Sequence, residues 1–338
     1  MGTSEPDGRR PTMKDVATLA NVSLSTVSRF VNGEPGRPEL VARIQQAIDL
    51  LGYQRDLTAS TLRRADRASA SIGVVVADVG NPFFAAVLRG IEEVARERGS
   101  LTIAASSDED PGRERELAAA LVARRIDGLI VVPAGGDSDH LRTGRVPLSF
   151  VDRPPAYLDA DTVLSDNAGG AAAATRHLLD RGHTRIGFLG DHERIYTCAE
   201  RLRGYRSALG DLPEFVRLGL DQGVVASAVA DLLALPEPPT ALIASQNLLT
   251  VGAIRALRRL GRQHEVAFIG FDDVPLADAL DPSVTVVSQQ PVQLGRRAAE
   301  LLFSRIDGYA GPSRSVVVET VLVARGSSEI ATSESRQR

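Results

Sequence analysis

The chain has 338 residues, enough for two or three domains, and its 43% hydrophobic and 24% charged content is that of a soluble globular protein. The formal charge of −4 is unevenly divided: residues 1–70 hold ten Lys/Arg against eight Asp/Glu, the remainder 29 against 35. So mild an N-terminal excess does not argue for a polyanionic partner. The positive charge is almost all arginine, with Lys14 the only lysine, a composition that codon bias explains before phosphate binding does.

Residues 1–11 are rich in Gly, Pro and charge and are expected to form a disordered lead without the apolar stretch of a secretory signal. Thr12 is placed to cap a short helix to Ala20, with Asp15 in its first turn and Val16, Leu19 and Ala20 as its apolar face. After a break at Asn21-Val22, Ser23 caps a second helix that stops at Asn32-Gly33. A third helix starts at Pro38, carries the stripe Val41, Ile44, Ile48 and Leu51, and ends at Gly52. Residues 12–55 therefore make one small helical unit. Residues 56–70 have few large apolar side chains and read as a linker of weak helical character.

From Ser71 strands and helices alternate: SIGVVVADV, helix 82–98, LTIAAS, helix 113–124, GLIVVP, PLSFVD and helix 167–181. There follow RIGFLG, helices 198–209 and 222–234, TALIAS, helix 247–260, EVAFIG, a strand at 284–287, helix 291–308 and SVVVETVLVARGS. Continuous Val/Ile/Ala runs between helices indicate parallel strands covered on both faces, and their number requires two doubly wound lobes. The expected core is 71–330, with lobes of about 71–166 plus 291–312 and 167–290 plus 313–330, and a polar tail at 331–338. Ligands in such folds bind beyond the carboxyl ends of the strands, here between the lobes. Cys198 stands alone, which excludes an intramolecular disulfide and fits a reducing compartment. No apolar run reaches about 18 residues, so a cytoplasmic location is expected.

Two helices joined by a tight turn have the dimensions of a helix-turn-helix, whose second helix reads DNA; a small helical protein-binding unit has the same spacing. TMKDVATLANVSLSTVSRFVNG and the later RIQQAIDLLGY separate the two. This stretch resembles the headpiece of the LacI/GalR (lactose-repressor) family, typically K-D-V-A-x-x-A-x-V-S-x-x-T-V-S-R-x-x-N-G, and Lys14 to Gly33 meets every fixed position. The resemblance continues through NPFFAAVLRGIEEVARERG, RRIDGLIVVP, HLLDRGHTRIGFLG, ERLRGY, FDDVPLA and LGRRAAELL, from residue 12 to about 328. It implies an α/β protein with a helix-turn-helix headpiece and a two-lobed, periplasmic-binding-protein-like core. The implied function is that of a transcription regulator, expected to be a repressor, which binds a palindromic double-stranded DNA operator as a homodimer. A small effector, a sugar or related polyol, controls it from the inter-lobe cleft, without a cofactor or metal.

By position in the family pattern, Leu24 and Ser25 help choose the operator bases and Arg29 reads guanine with its forked guanidinium. Ser23, Thr26 and Ser28 bind phosphate or cap the helix, and Asn32 contacts the DNA backbone. Arg37 stands where the family has Val-Ser before the third helix, either as a phosphate contact or as a solvated side chain. In the linker, Leu62, with Ala59 before it, takes the place of a leucine that wedges into the minor groove. Arg55-Asp56 and Ser60 depart from the family's usual hinge.

The same carry-over gives effector candidates Asn81, Phe83, Phe84, Ser107, Asp108, Arg153, Arg201, Gln246, Phe271, Asp272 and Gln290. Singly, Asn81-Pro82 is equally a helix cap and Asp272-Asp273 a turn; Arg201 and Asp272 are the strongest candidates. Gln246-Asn247 replaces the family's common Asn-Asp, so ligand identity is not transferable across that change. An effector other than a sugar, or a protein co-repressor, is the alternative. A secreted sugar-binding protein is disfavoured by the attached headpiece. An enzyme is disfavoured because Gly73 to Gly80 forms no G-x-G-x-x-G and the five histidines show no metal-ligand spacing.

Overall fold

The computed structural model describes residues 11–31, 34–53, 69–142, 144 and 146–332. The chain forms two compact units, Met1–Ser69 and Ala70–Arg338. The first contains helices α1 (Met13–Leu19), α2 (Leu24–Val31) and α3 (Pro38–Leu51). Its core is Val16, Ala17, Ala20, Val27, Ile44 and Ala47, with Phe30, Val31 and Tyr53 packed around it. Asp15 accepts from the Thr12 backbone N–H and hydroxyl, both at 2.7 Å, closing the first turn of α1. Gly52 ends α3 in a left-handed conformation, φ 60°. From α3, Arg43 Nη2 donates to the carbonyls of Ala20 (2.5 Å) and Asn21 (3.0 Å), fixing the turn between α1 and α2.

The second unit runs β1 (Ser71–Val76), α4 (Pro82–Glu97), β2 (Leu101–Ser106), α5 (Pro111–Ala123), β3 (Gly128–Val131), β4 (Leu148–Val151) and β5 (Asp161–Ser165). It continues with α6 (Asn167–Leu179), β6 (Ile186–Leu189), α7 (Tyr196–Leu209), β7 (Phe215–Arg217), α8 (Val225–Leu233) and β8 (Ala241–Ala244). Then come α9 (Asn247–Arg259), β9 (Ala267–Phe271), β10 (Thr285–Ser288), α10 (Pro291–Ile306), β11 (Ser315–Val318) and β12 (Val321–Val323).

Two six-stranded sheets result, ordered β11-β5-β4-β3-β1-β2 and β12-β10-β9-β8-β6-β7. All pairings are parallel except β10 with β12. The first sheet is covered by α4 and α10 on one face and by α5 on the other. The second lies between α8 and α9 on one side and α6 and α7 on the other. The chain thus passes between lobes at Asp166, at Gln289-Gln290 and at Glu319-Thr320.

Two differences from the sequence expectation have clear causes. SVVVETVLV is not one strand: Ser315–Val318 pairs with β5 in the first sheet and only Val321–Val323 joins the second, so the last crossing follows Val318 rather than residue 313. Strands β5 and β7 were not anticipated. The first opens on a charged residue, Asp161, and the second is a three-residue, half-buried edge strand with too little apolar run to stand out.

Candidate functional site

Two surfaces gather the candidate residues. On the headpiece, α2 turns Val27 fully inward and leaves Leu24, Ser25 and Arg29 exposed. Ser23 Oγ lies 2.8 Å from Ser25 Oγ and 2.7 Å from Thr26 Oγ1, and accepts from the Thr26 N–H at 3.2 Å. Ser23 is therefore the helix cap, and the three hydroxyls form one cluster at the helix start, where backbone N–H groups favour an anion. Arg29 and Arg37 line one concavity of about 360 Å³ between α2 and the start of α3, with Thr26 and Phe30 on its wall. Ser28 lies half-buried on the same helix. Asn32, Ala59 and Leu62, and with them Arg55, Asp56 and Ser60, lie outside the described residues.

In the second unit the loops after the parallel strands of both sheets converge on a cavity of about 600 Å³. The first lobe contributes Asn81, Phe83 and Phe84 after β1, Asp108 and Glu109 after β2, and Asp152 and Arg153 after β4. The second contributes Asp191, Thr197 and Arg201 after β6, Asp221 after β7, Gln246 and Asn247 after β8, Asp272 after β9 and Gln289 after β10.

Arg201, from α7, is held from three sides. Its Nε donates to Asn167 Oδ1 at 2.8 Å, its Nη1 to the Ser245 carbonyl at 2.5 Å, and its guanidinium lies 4.0 Å above the Phe271 ring. Asp272 accepts at 2.5 Å from Gln289 Nε2. Burial pushes the Asp272 carboxyl up to about 6, against the opposing pull of Arg201 and Gln289. Burial also raises Asp152, although Arg153 and Arg201 oppose it. Arg153 donates through Nη1 and Nη2 to the two oxygens of Glu109, at 2.5 and 2.6 Å, with Asp152 3.4 Å from its Nε. Burial works against its charge, but the Glu109 pairing and Asp152 outweigh it and hold its pKa above the ordinary value.

The lobes also touch directly. Asn247 Nδ2, at the start of α9, donates to Asn81 Oδ1 at 2.6 Å across the cleft. Asn81 Oδ1 accepts from the Phe83 N–H at 3.0 Å as well, so Asn81 is both a helix cap and part of the cavity. Gln246 likewise caps α9, accepting from the Leu248 N–H at 2.8 Å.

Three anticipated residues are placed differently. Ser107 is buried with its hydroxyl donated to the Val76 carbonyl, and Phe271 lies beneath Arg201. Gln290 stands in a left-handed turn, φ 55°, with its amide on the Glu319 carbonyl; its neighbour Gln289 lines the cavity instead. Sequence reasoning passed over Glu109, Asp152, Asp191, Asn247 and Gln289 as contacts. The doublets SQQP and VDR carried that signal, because each follows a buried strand and either member could have faced the cleft. Among the described residues no group of three or more His, Cys, Asp or Glu could hold a metal ion.

A helix-turn-helix unit attached to two parallel-sheet lobes with a polar cleft between them defines a DNA-binding regulator rather than an enzyme. Residues 12–56 match the family model "Bacterial regulatory proteins, lacI family", and residues 175–328 match "Periplasmic binding protein-like domain". The ribose operon repressor of Haemophilus influenzae is 30% identical over 94% of this chain and 98% of its own length. A solved transcriptional regulator CelR in complex with cellobiose is 30% identical, with a TM-score of 0.69 over 94% of this chain and all of its own. A solved LacI family regulator from Enterococcus faecium with bound ribose is 25% identical, with a TM-score of 0.70 over 78% of this chain and all of its own. The chain belongs to the lacI family of bacterial regulatory proteins.

Proposed function

We propose that this regulator binds a palindromic operator as a homodimer, acts as a repressor, and is controlled by a sugar or related polyol held between its lobes. The observation that carries the effector half is the Asp272–Gln289 pair beside the stacked Arg201, which sets carboxylate, amide and guanidinium groups within one cavity. Such groups suit vicinal hydroxyls, which both donate and accept. The ribose and cellobiose seated in its structural relatives support the same class of ligand.

On the DNA side, Arg29 reads a base edge, Leu24 and Ser25 tune the choice, and Ser23, Thr26, Ser28 and Arg37 hold phosphates, with Asn32, Ala59 and Leu62 assisting. Two headpieces reading two half-sites require the dimer. Rotation of the lobes around the ligand passes to residues 56–70 and alters operator affinity. Cytoplasmic residence accords with a DNA target and with the single, buried Cys198; no described helix is long and apolar enough to cross a membrane.

Operators enriched from random duplexes and scored by gel shift test the reading. The expected product is an inverted repeat. Arg29→Ala is expected to cost about 1–3 kcal/mol of discrimination at one base pair of each half-site, while binding to unrelated DNA changes little. Enrichment of no sequence, or an Arg29→Ala profile identical to wild type, contradicts it.

A further inference from the structure

We infer that Glu109 blocks the one guanidinium fork in the cleft that suits an anion, so that the effector is an uncharged, hydroxyl-rich sugar and phosphorylated or carboxylated sugars are refused. This rests on the effector reading above.

A phosphate or carboxylate is usually recognised by a bidentate arginine. Among the described residues the cleft holds two arginines, and neither offers a free pair of terminal nitrogens. Glu109 takes both terminal nitrogens of Arg153 in a fork-to-fork pair, and Arg153 Nη1 also reaches the Pro133 carbonyl at 3.2 Å. Arg201 spends Nε and Nη1 on Asn167 and Ser245. Around them the cavity lining carries seven carboxylates against these two guanidinium groups. An incoming anion must displace Glu109 and enter a negative field that the low-dielectric walls strengthen.

The acceptor side of the cleft is unsatisfied in the opposite sense. Gln289, only 1% exposed, uses its amide nitrogen on Asp272, while its buried Oε1 has no hydrogen-bond partner among the described residues. A buried acceptor of this kind calls for a donor, as do the Asp272 and Asp152 carboxylates beside it. A sugar hydroxyl donates; a phosphate dianion does not. Phe83 and Phe84, packed edge to face at 5.1 Å, supply an apolar flank for the ring face of such a ligand.

The test is a melting and calorimetric screen of the full-length protein against a pool of free aldopentoses and aldohexoses and a second pool of their phosphate monoesters and aldonic acids. Wild type is expected to respond to the first pool only. Glu109→Gln keeps one acceptor for Arg153 but removes the charge; it is expected to bind a member of the anionic pool about tenfold or more tighter than wild type does, whatever its effect on the neutral pool. Wild-type binding of an anionic sugar as tight as that of any neutral one overturns the inference, independently of any variant. So does a folded Glu109→Gln, verified by its melting transition, that gains nothing for anions. Silence of both pools on wild type removes the polyol reading itself, and this inference falls with it.

Discussion

At the scale of single residues, Asp161 shows how one buried charge ties three elements together. Its side chain is fully buried between Arg305 of α10 and Arg314 before β11. Arg305 donates to its two oxygens at 2.9 Å each; Arg314 donates to one at 2.6 Å and, from its backbone N–H, to the other at 2.7 Å. Burial alone would raise the carboxyl, but the two guanidinium groups outweigh it and bring the pKa down to about 2. A folded-state value below the ordinary 3.8 means stability that is fully present above about pH 4 and is lost as pH falls towards 2. Asp161→Asn strands two cations and should cost about 3 kcal/mol at neutral pH by denaturant unfolding. The gap to wild type should narrow below about pH 3; a gap constant with pH would contradict the assignment. The same residue explains why its strand was illegible: an Asp at a strand's first position looks like a loop until its two arginines, over 140 residues away, are known.

Among elements, the decisive contact of the first lobe is the α4–α10 crossing, and it depends on two glycines. A Cβ on Gly90 would lie 2.1 Å from the Val292 carbonyl oxygen, and one on Gly295 would lie 2.0 Å from that of Val87. The obstacle in both cases is backbone, which no rotamer change relieves. Gly295→Ala should therefore force the helices apart at a cost of about 3 kcal/mol despite the gain in helix propensity, seen as a lower melting temperature. An unchanged or raised melting temperature would refute the crossing. Both helices were legible from their apolar period, whereas the closeness of their approach was not, because a glycine inside a helical run reads only as a weakness. The cleft clasp has the same character. Asn81 was anticipated as a cap or a cleft residue and proves to be both, but its partner Asn247 lies 166 residues on and came into view only as a departure from the family pattern.

For the whole molecule, the headpiece was the most legible part because its motif is contiguous and its helix caps are local. The two-lobe arrangement followed from alternation of apolar runs and helices. The cavity was legible by residue type rather than by position, since its walls come from eight separate strand ends: Gln289 replaces Gln290, and Glu109 turns Arg153 from a free contact into an occupied one. Three crossings join the two sheets, so closure of the lobes on a ligand acts on all three connections at once. A ligand shifts operator affinity only by its differential affinity for the two lobe arrangements. The most direct measurement is fluorescence anisotropy of the full-length protein on its selected operator, with and without the neutral sugar that raises its melting temperature. An affinity change of about tenfold or more is expected, lost in Arg201→Ala while its ligand-free operator binding stays intact. An operator affinity indifferent to a ligand that occupies the cleft would contradict it.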